Sequence, residues 1–309
     1  MKPTTETAEH AGPTLDRKGE FEVIDCEACG FRHVLPLPTP EELEATYDEE
    51  YYSTEKPLYL DEARRDLDWW RIVYRERLAA LDGALGARAT RRLLDVGSGP
   101  GFFLAEAKAH GWQTLGIEPS RQAAAHSRDE LGLEIVETFL DDRSAPEFGR
   151  FDAVHLCNVL EHVPDPRGLL ATAASLLEPG GVLLAIAPND YNPLQRALRE
   201  ADGFEPWWVA PPHHLNYFDM DSLPLLTEAI GLEVLDRTGT FPMELFLLGG
   251  ENYVGNGSLG RTCHGRRMRL EQTLEKAGMG ELRADLYRSL ADLGIGREVQ
   301  VLARKRDRA

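Results

Sequence analysis

The sequence contains little cysteine, with four in 309 residues. Small secreted domains that depend on disulfides are far richer in cysteine, so this content excludes a disulfide scaffold. Cys157 lies in an apolar run, where a thiol is expected to be buried and inert. The cysteine usage therefore predicts a reducing, cytoplasmic location.

Positive charge is also scarce. The chain has 34 Lys and Arg residues against 52 Asp and Glu residues, which gives a formal net charge of −18. Such a surface repels a phosphate backbone unless a local basic patch opposes it. We therefore expect no nucleic acid as partner or substrate.

Long hydrophobic runs are missing too. No stretch approaches the roughly 20 apolar residues that a membrane span needs. The first residues, MKPTTETAEHAGPTLDRKGE, have no apolar segment typical of a signal peptide. We expect a soluble protein without membrane association.

The first 60 residues differ in pattern from the rest of the chain. Residues 1–19 are polar and without periodicity, which predicts a disordered tail. Residues 20–60 form a small appendage, in which FEVIDCEACGFRHVLPLP predicts a hairpin. The stretch TPEELEATYDEEYY predicts a helix that is capped by Thr39 and has Pro40 at its first position.

Residues 61–309 are expected to form the main domain. Between residues 61 and 85, apolar residues recur every three or four positions, at Leu67, Trp70, Tyr74, Leu78 and Leu81. This spacing predicts an amphipathic helix that lies on the core.

Short apolar segments then alternate with helical ones as far as residue 240. The alternation predicts an α/β fold with a doubly wound, mostly parallel sheet. Residues 189–220 form a long segment without a clear pattern, which we interpret as an irregular lid. Residues 242–296 predict a helical insertion before the last strand, REVQVLARK.

The segment RRLLDVGSGPGFF predicts a strand, a glycine-rich turn and the start of a helix. Dinucleotide-binding folds of the Rossmann type use G-x-G-x-x-G, but here Phe102 holds the third position after Gly97 and Gly99. Asp95 precedes this turn, where its charge disfavours a pyrophosphate. Glu118 ends the next strand, where a carboxylate can accept hydrogen bonds from both hydroxyls of a ribose. The pattern indicates an adenosine ligand that carries positive charge.

Four segments in this order, LLDVGSGPGFF, GIEPS, FDAVHLCNVLEHVPDP and LEPGGVLLAIAPN, resemble the class I S-adenosylmethionine-dependent methyltransferases. The resemblance implies a Rossmann-like sheet of seven strands, with S-adenosylmethionine as cofactor and S-adenosylhomocysteine as product. The cofactor-binding residues that it implies are Asp95, Gly97, Ser98, Gly99, Gly101, Glu118, Pro119, Phe139, Leu140, Asp141, Asn158, Val159 and His162.

Candidate acceptor residues lie in FEPWWVAPPHHLNYFD, within the lid segment. His213, His214 and Tyr217 are candidates for binding or deprotonating the acceptor, because a histidine can take a hydroxyl proton near neutral pH. The resemblance favours His214 as the catalytic residue. The same histidines could instead fix the lid, and Trp207 and Trp208 could either stack on a sugar or simply bury the lid.

The stretch CEACGFRHVLPLPTPEELEATYDEEYY resembles the cysteine-containing N-terminal segment of bacterial methyltransferases associated with sugars and polysaccharides, a branch that also resembles the ubiquinone type. Relatives there often bind zinc through four cysteines. This chain has only Cys26 and Cys29, so His33 or His10 would have to complete a site of four ligands. With half of the set missing, a hairpin turn without metal is the favoured interpretation, and we expect no zinc.

Together these patterns predict a methyltransferase that acts on oxygen or carbon of a small-molecule or glycan-related acceptor. The alternative is a non-catalytic adenosylmethionine-binding module that interacts with other proteins of a biosynthetic complex. The intact glycine turn and the histidines of the lid favour the enzyme.

Overall fold

The computed structural model describes residues 10–38, 59–86 and 91–306. The strands in these ranges are β1 (Thr14–Lys18), β2 (Phe21–Cys26), β3 (Phe31–Leu35), β4 (Arg92–Val96), β5 (Gln113–Ile117), β6 (Ile135–Val136), β7 (Phe151–Cys157), β8 (Leu177–Pro188), β9 (Asn216–Tyr217), β10 (Leu232–Gly239) and β11 (Glu298–Lys305). The helix predicted to begin after Thr39 lies outside the described residues.

The helices in the same ranges are α1 (Tyr59–Arg65), α2 (Leu67–Leu85), α3 (Phe102–Ala109), α4 (Arg121–Asp129), α5 (Pro166–Ser175), α6 (Pro193–Asp202), α7 (Ser222–Ala229), α8 (Glu244–Leu248), α9 (Gly257–Lys276) and α10 (Gly280–Asp292). Short 3-10 helices span Ala145–Glu147 and Leu160–His162. No helix in the described part of the chain is long and apolar enough to cross a membrane.

Seven strands form one sheet in the order β10-β11-β8-β7-β4-β5-β6. Strands β8, β7, β4, β5 and β6 are parallel, and β11 is antiparallel to both of its neighbours. Because β5 and β6 are added on one side of β4 and β7 and β8 on the other, the strand order reverses between β4 and β7. Sheets of this kind bind ligands beyond the carboxyl ends of the strands at that reversal. The predicted doubly wound, mostly parallel sheet is confirmed.

Both faces of this sheet are apolar. Leu93 and Leu94 are adjacent in β4 and fully buried, yet they belong to separate apolar clusters. A strand turns successive side chains to opposite faces, so the two clusters lie on the two sides of the sheet. Leu78 and Leu81 of α2 pack in the cluster that contains Leu93, which confirms an amphipathic helix on the core. The single helix predicted over residues 61–85 is divided at Asp66 into α1 and α2.

A second, antiparallel sheet has the order β1-β2-β3-β9. Strands β2 and β3 are the predicted hairpin. The prediction of a disordered tail is wrong for β1, which pairs with β2. Its sequence, TLDRK, shows little apolar pattern because its one buried residue is Asp16, which is held by distant partners. Asp16 forms an ion pair with Arg199 at 2.7 Å and accepts a hydrogen bond from the Tyr191 hydroxyl at 2.8 Å.

The segment 189–220 is folded, so the prediction of an irregular stretch is wrong for α6 and β9. Helix α6 begins with a capping box formed by Asn192 and Gln195. Strand β9 pairs with β3, and its Tyr217 packs in an apolar cluster with Val34 and Trp208. The segment therefore packs on the N-terminal sheet instead of lying over the main sheet as a free loop.

The helices α8, α9 and α10 occupy the predicted insertion, 242–296. Glu271 of α9 is buried within this insertion, where its Oε1 accepts hydrogen bonds from Arg267 at 3.2 Å and from Tyr287 at 2.5 Å. Arg266 pairs with Glu251. Arg266 and Arg267 belong to the basic run GRRMR, residues 265–269, so part of its charge is paired within the insertion.

Candidate functional site

A cavity of about 260 Å³ lies where the strand order reverses, at the carboxyl ends of β4, β5 and β7. All of the predicted cofactor residues except Gly101 and Asp141 line it. The predicted residues that it brings together are Asp95, Gly97, Ser98, Gly99, Glu118, Pro119, Phe139, Leu140, Asn158, Val159 and His162.

The turn after β4 requires glycine at its first position. Gly97 has a φ of +70°, and a Cβ placed on it would lie 2.5 Å from a methyl group of Val159. Both facts exclude a larger residue, because L side chains avoid this conformation and the neighbouring loop leaves no room. The turn and the loop after β7 therefore approach each other closely at the cavity.

Two predicted residues lie away from the cavity. Gly101 precedes α3 with a φ of +81°, and a Cβ there would lie 2.6 Å from Oγ of Ser127. Asp141 is exposed, and its Oδ1 accepts hydrogen bonds from the backbone N–H groups of Arg143 at 3.0 Å and Ser144 at 2.7 Å. Both residues shape turns, and the prediction that they line the cofactor site is not supported by their positions.

Both carboxylate oxygens of Glu118 are fixed by backbone hydrogen bonds. Its Oε2 accepts a hydrogen bond from the N–H of Gly99 at 2.7 Å, and its Oε1 accepts one from the N–H of Ser120 at 2.8 Å. The side chain is buried, and burial, with a smaller effect of the Asp95 charge, raises the pKa of Glu118 to about 7. A carboxylate can accept about four hydrogen bonds, so Glu118 retains capacity for two more donors.

Asp95 is paired with a residue that the sequence analysis missed. His155 of β7 lies beside it, with Nδ1 at 2.7 Å from Oδ1 of Asp95. Burial lowers the pKa of His155, so the neutral ring donates its Nδ1–H to the carboxylate. The opposite nitrogen, Nε2, has no hydrogen-bond partner in the described part of the chain, and the ring lines the cavity.

Helix α2 supplies a second group of residues that sequence reasoning missed. Trp70 and Tyr74 stack with ring centroids 5.6 Å apart, and both line the cavity together with Arg77. Their spacing of four and three places them on one face of the helix. The signal in the sequence was a charged residue, Arg77, at helical spacing from Trp70 and Tyr74. The sequence analysis assigned the two aromatic residues to the core.

Arg77 is almost wholly buried, with 4% of its surface exposed. Its Nη1 lies 3.4 Å from Sγ of Cys157, while Nε and Nη2 have no partner among the residues that the structure describes. Burial disfavours the charged guanidinium, and the Coulombic attraction of Glu298 opposes this effect, so the pKa of Arg77 is raised. The residue is therefore suited to a negatively charged ligand group.

Hydrogen bonds join the loop after β7 to the segment 189–220. Nδ1 of His162 donates to the carbonyl of His213 at 2.7 Å, and the N–H of Leu215 donates to the carbonyl of Glu161 at 2.7 Å. Asn216 donates from its side chain to the carbonyls of Leu160 at 2.9 Å and Val163 at 2.7 Å. These bonds place the predicted acceptor residues next to the cavity wall.

His162 is the histidine of this group that lines the cavity. His214 contacts it edge to face, with ring centroids 5.0 Å apart, while His213 contributes its carbonyl. Nitrogen atoms of both rings and a carboxylate oxygen of Glu161 lie within 4.8 Å of one another. The arrangement can accept a proton and pass it along the group.

Tyr217 does not have the geometry of a catalytic residue. It is fully buried, and burial raises the pKa of its hydroxyl above the ordinary value. The hydroxyl donates to the carbonyl of His214 at 3.0 Å and accepts from the N–H of Ala210 at 3.2 Å. Tyr217 therefore positions the loop that carries His214.

The two tryptophans of the segment pack edge to face, with ring centroids 4.8 Å apart. Trp208 is buried and also packs against Tyr191, with ring centroids 5.4 Å apart. Trp207 is half-buried and lines a second cavity with Lys18 and Asn252. Trp208 thus has the burying role that the sequence analysis left open.

Comparison with known proteins identifies a family of methyltransferases. The family model of the methyltransferase domain matches residues 64–237. Ubiquinone biosynthesis O-methyltransferases from two strains of Escherichia coli are 33% and 32% identical to the chain over 111 residues, or 34% of the chain. The chain spans about half the length of these curated relatives, 46% in each case.

A solved structure of a SAM-dependent methyltransferase from Archaeoglobus fulgidus has a similar fold, with a TM-score of 0.50 at 17% identity. The similarity covers 80% of this chain and 99% of that one. The resemblance seen in the four sequence motifs is confirmed, and with it S-adenosylmethionine as the cofactor of the family. Because the family match covers more than half of the chain and contains Asp95, Glu118 and His162, the chain belongs to the methyltransferase domain family.

Proposed function

We propose that this protein transfers a methyl group from S-adenosylmethionine to an oxygen or carbon atom of a small-molecule or glycan-related acceptor. The observation that carries the proposal is the meeting of Glu118, Asp95 and the buried Arg77 in one cavity at the strand-order reversal. These groups match, respectively, the ribose, the positive charge and the carboxylate of the cofactor.

The cavity fits the adenosine part at Glu118. Each carboxylate oxygen already accepts one backbone N–H, from Gly99 and Ser120, which fixes the plane of the group. The remaining acceptor capacity suits two ribose hydroxyls. Phe139 and Leu140 line the same end and offer an apolar surface to the adenine.

The methionine part would lie between the glycine turn and α2. The guanidinium of Arg77 lines this part of the cavity and supplies positive charge, which favours a carboxylate. Asp95, held by His155, supplies negative charge near the turn. The pair of opposite charges matches an amino acid group.

S-adenosylmethionine, when bound, supplies a methyl group on a positively charged sulfur. The protein must then hold the acceptor in line with that group and keep water out. Trp70 and Tyr74 cover the cavity from α2 and exclude water on that side. His162 also lines the cavity and is hydrogen-bonded to the segment 189–220.

His162 and His214 are the candidate proton acceptors for a hydroxyl acceptor. Because Nδ1–H of His162 donates to the carbonyl of His213, the neutral ring keeps its lone pair on Nε2, which lies 3.7 Å from Oε1 of Glu161. His214 touches this ring and stays the residue favoured by resemblance. A histidine in this position takes the acceptor proton while the methyl group is transferred.

The name of the Escherichia coli relatives, ubiquinone biosynthesis O-methyltransferase, supports oxygen of a small molecule as the methylated atom. We therefore expect activity on a hydroxyl acceptor. Glycan-related acceptors stay in the proposal because of the sequence resemblance of the N-terminal segment.

The test is a screen that measures formation of S-adenosylhomocysteine with a panel of catechols, other phenols and nucleotide-sugars. Activity is expected with one class of hydroxyl acceptor, and His214→Ala is expected to reduce it while still binding cofactor. Lys276→Ala, on the distant insertion, is the matched control and keeps wild-type activity. Cofactor binding by a folded protein that methylates no member of the panel would oppose this choice of acceptor.

A further inference from the structure

Four side chains with metal-binding atoms converge at the N-terminal hairpin. Nδ1 of His10 lies 3.1 Å from Nε2 of His33, 3.4 Å from Sγ of Cys29 and 3.8 Å from Sγ of Cys26. All four ligand-type atoms lie within 4.8 Å of one another. This cluster is separate from the cavity that the proposed reaction uses.

The three distances that His10 makes are close to the edges of a metal-centred tetrahedron. With zinc–sulfur bonds of about 2.3 Å and zinc–nitrogen bonds of about 2.0 Å, tetrahedral geometry separates the ligand atoms by roughly 3.3 to 3.8 Å. The distances from His10 to its three neighbours, 3.1, 3.4 and 3.8 Å, cover almost the same range. The side chains need only small adjustments to surround one ion.

The tautomer of His33 allows its ring to act as a metal ligand. Its Nδ1 lies 2.9 Å from the carbonyl oxygen of Val34, so Nδ1 carries the proton and donates it. Nε2 then holds the lone pair and faces His10. A metal-binding histidine commonly donates its second ring N–H to a carbonyl in this way, which fixes the ring.

The hairpin brings three of the ligands together. Cys26 ends β2, Cys29 lies in the turn, and His33 lies on β3. The N–H of Gly30 donates to the carbonyl of Cys26 at 2.9 Å, and Gly30 has a φ of +73°, so the backbone folds tightly around the two thiols. The spacing C-x-x-C on such a turn is typical of zinc ligands.

The fourth ligand is held by backbone pairing. The N–H of Glu27 donates to the carbonyl of Ala11, and that of Asp25 donates to the carbonyl of Pro13, both at 3.0 Å. Between them, a Cβ on Gly12 would lie 1.8 Å from the carbonyl oxygen of Asp25. Glycine at this position lets the segment preceding β1 approach closely enough for His10 to reach the thiols.

We propose that His10, Cys26, Cys29 and His33 bind one zinc ion in a closed structural site. Two thiolates and two imidazoles in tetrahedral arrangement favour zinc, and four protein ligands leave no open position for catalysis. The expectation of a metal-free hairpin, drawn from the two cysteines alone, is replaced by this proposal because the two histidines supply the other half of the set.

The site is placed to stabilise the wall of the proposed active site. His33 lies opposite Asn216 in the β3–β9 pairing, and Asn216 donates to the carbonyls of Leu160 and Val163 in the loop that carries His162. A metal that fixes β3 therefore fixes this loop through β9. This role rests on the proposed function, whereas metal binding itself does not.

The test measures metal in the full-length protein purified from zinc-supplemented cells without chelator. We expect about one zinc ion per chain by elemental mass spectrometry, falling at least about tenfold in Cys29→Ser and His10→Ala. His10→Ala keeps both cysteines and leaves the hairpin pairing intact, so it separates lost ligation from misfolding. His110→Ala removes a surface histidine elsewhere and should keep the full zinc content.

Cobalt(II) supplies a second readout that does not depend on activity. Cobalt added to the zinc-free protein should produce the visible absorption of tetrahedral cobalt and the ultraviolet band of a thiolate ligand, both absent in Cys29→Ser. Wild-type protein with less than about a tenth of a zinc ion per chain and no cobalt spectrum would overturn the proposal, as would a Cys26–Cys29 disulfide in the purified protein. Calorimetry with S-adenosylhomocysteine on the same samples tests the proposed function separately.

Discussion

Nδ1 of His155 lies 2.7 Å from Oδ1 of Asp95, and both side chains are buried at the end of neighbouring parallel strands. The pair joins β4 to β7 at the point where the strand order reverses. It also holds Asp95 in a fixed orientation toward the glycine turn. The carboxylate that distinguishes this cavity from a pyrophosphate site thus depends on a histidine 60 residues away in the chain.

We expect Asp95→Ala and His155→Ala to be coupled. A buried hydrogen bond to a charged group contributes about 1.5–3 kcal/mol, and a double-mutant cycle in chemical denaturation should return a coupling of about this size. Asp95→Ala should also abolish cofactor binding, whereas His155→Ala should weaken it. Additive losses of stability would contradict the pairing.

Glu118 should make stability depend on pH. Because its folded pKa is raised from 4.5 to about 7, the folded state holds a proton that the unfolded state has lost over this interval. Glu118 therefore costs on the order of 2–3 kcal/mol of unfolding free energy as pH rises from about 4.5 to 7. Denaturation across this range should show a loss that is smaller by about this amount in Glu118→Gln than in wild type, because Asp190, whose pKa burial also raises to about 7, contributes in both proteins.

Ionisation of Glu118 should also strengthen the binding of the cofactor. An ionised Glu118 accepts hydrogen bonds from both ribose hydroxyls, so affinity for S-adenosylhomocysteine should rise as pH increases through about 7. Glu118→Gln should bind more weakly and lack this rise. A parallel pH dependence in the variant would assign the effect to another group.

Arg77→Met should affect binding far more than stability. The substitution removes the desolvation cost of the buried charge together with the attraction of Glu298, so the free energy of unfolding is expected to change little. Loss of the carboxylate partner should weaken S-adenosylhomocysteine about 10- to 100-fold. The binding of 5′-methylthioadenosine, which has no carboxylate, should not change. Equal weakening of both ligands would show that Arg77 shapes the cavity without binding the carboxylate.

Gly97→Ala should abolish cofactor binding and reduce stability. The added Cβ meets Val159 at 2.5 Å and forces a backbone with a φ of +70°. Gly132→Ala is the matched control, since Gly132 has a φ of +62° but no atom within 4 Å of a Cβ. We expect about 1 kcal/mol of destabilisation from conformation alone in the control, with binding retained, and a larger loss in Gly97→Ala.

The main sheet and the glycine turn were predictable because each depends on local pattern. Buried parallel strands are continuous apolar runs, and the turn needs glycine where φ is positive. Strand β1 was not predictable, since its buried residue is Asp16, whose partners Tyr191 and Arg199 are distant in sequence. Pairing that depends on such contacts leaves no periodic signal.

The residues of the site divide in the same way into those that local motifs predict and those that depend on tertiary contacts. Residues on the turns after β4, β5 and β7 were found from motifs, whereas Arg77 and His155 were missed. Arg77 lies on a helix whose pattern indicated only core packing, and His155 lies inside an apolar strand. Their roles come from tertiary contacts with Cys157 and Asp95, which sequence spacing does not reveal.

The most direct test of the account is titration calorimetry of S-adenosylmethionine and S-adenosylhomocysteine against the full-length protein, repeated with Glu118→Ala and with Glu137→Ala as the control on an exposed carboxylate. We predict micromolar binding of both compounds by wild type and Glu137→Ala, and its loss in Glu118→Ala. Absence of binding to well-folded wild-type protein, or equal binding by Glu118→Ala, would contradict the assignment of this cavity to the cofactor.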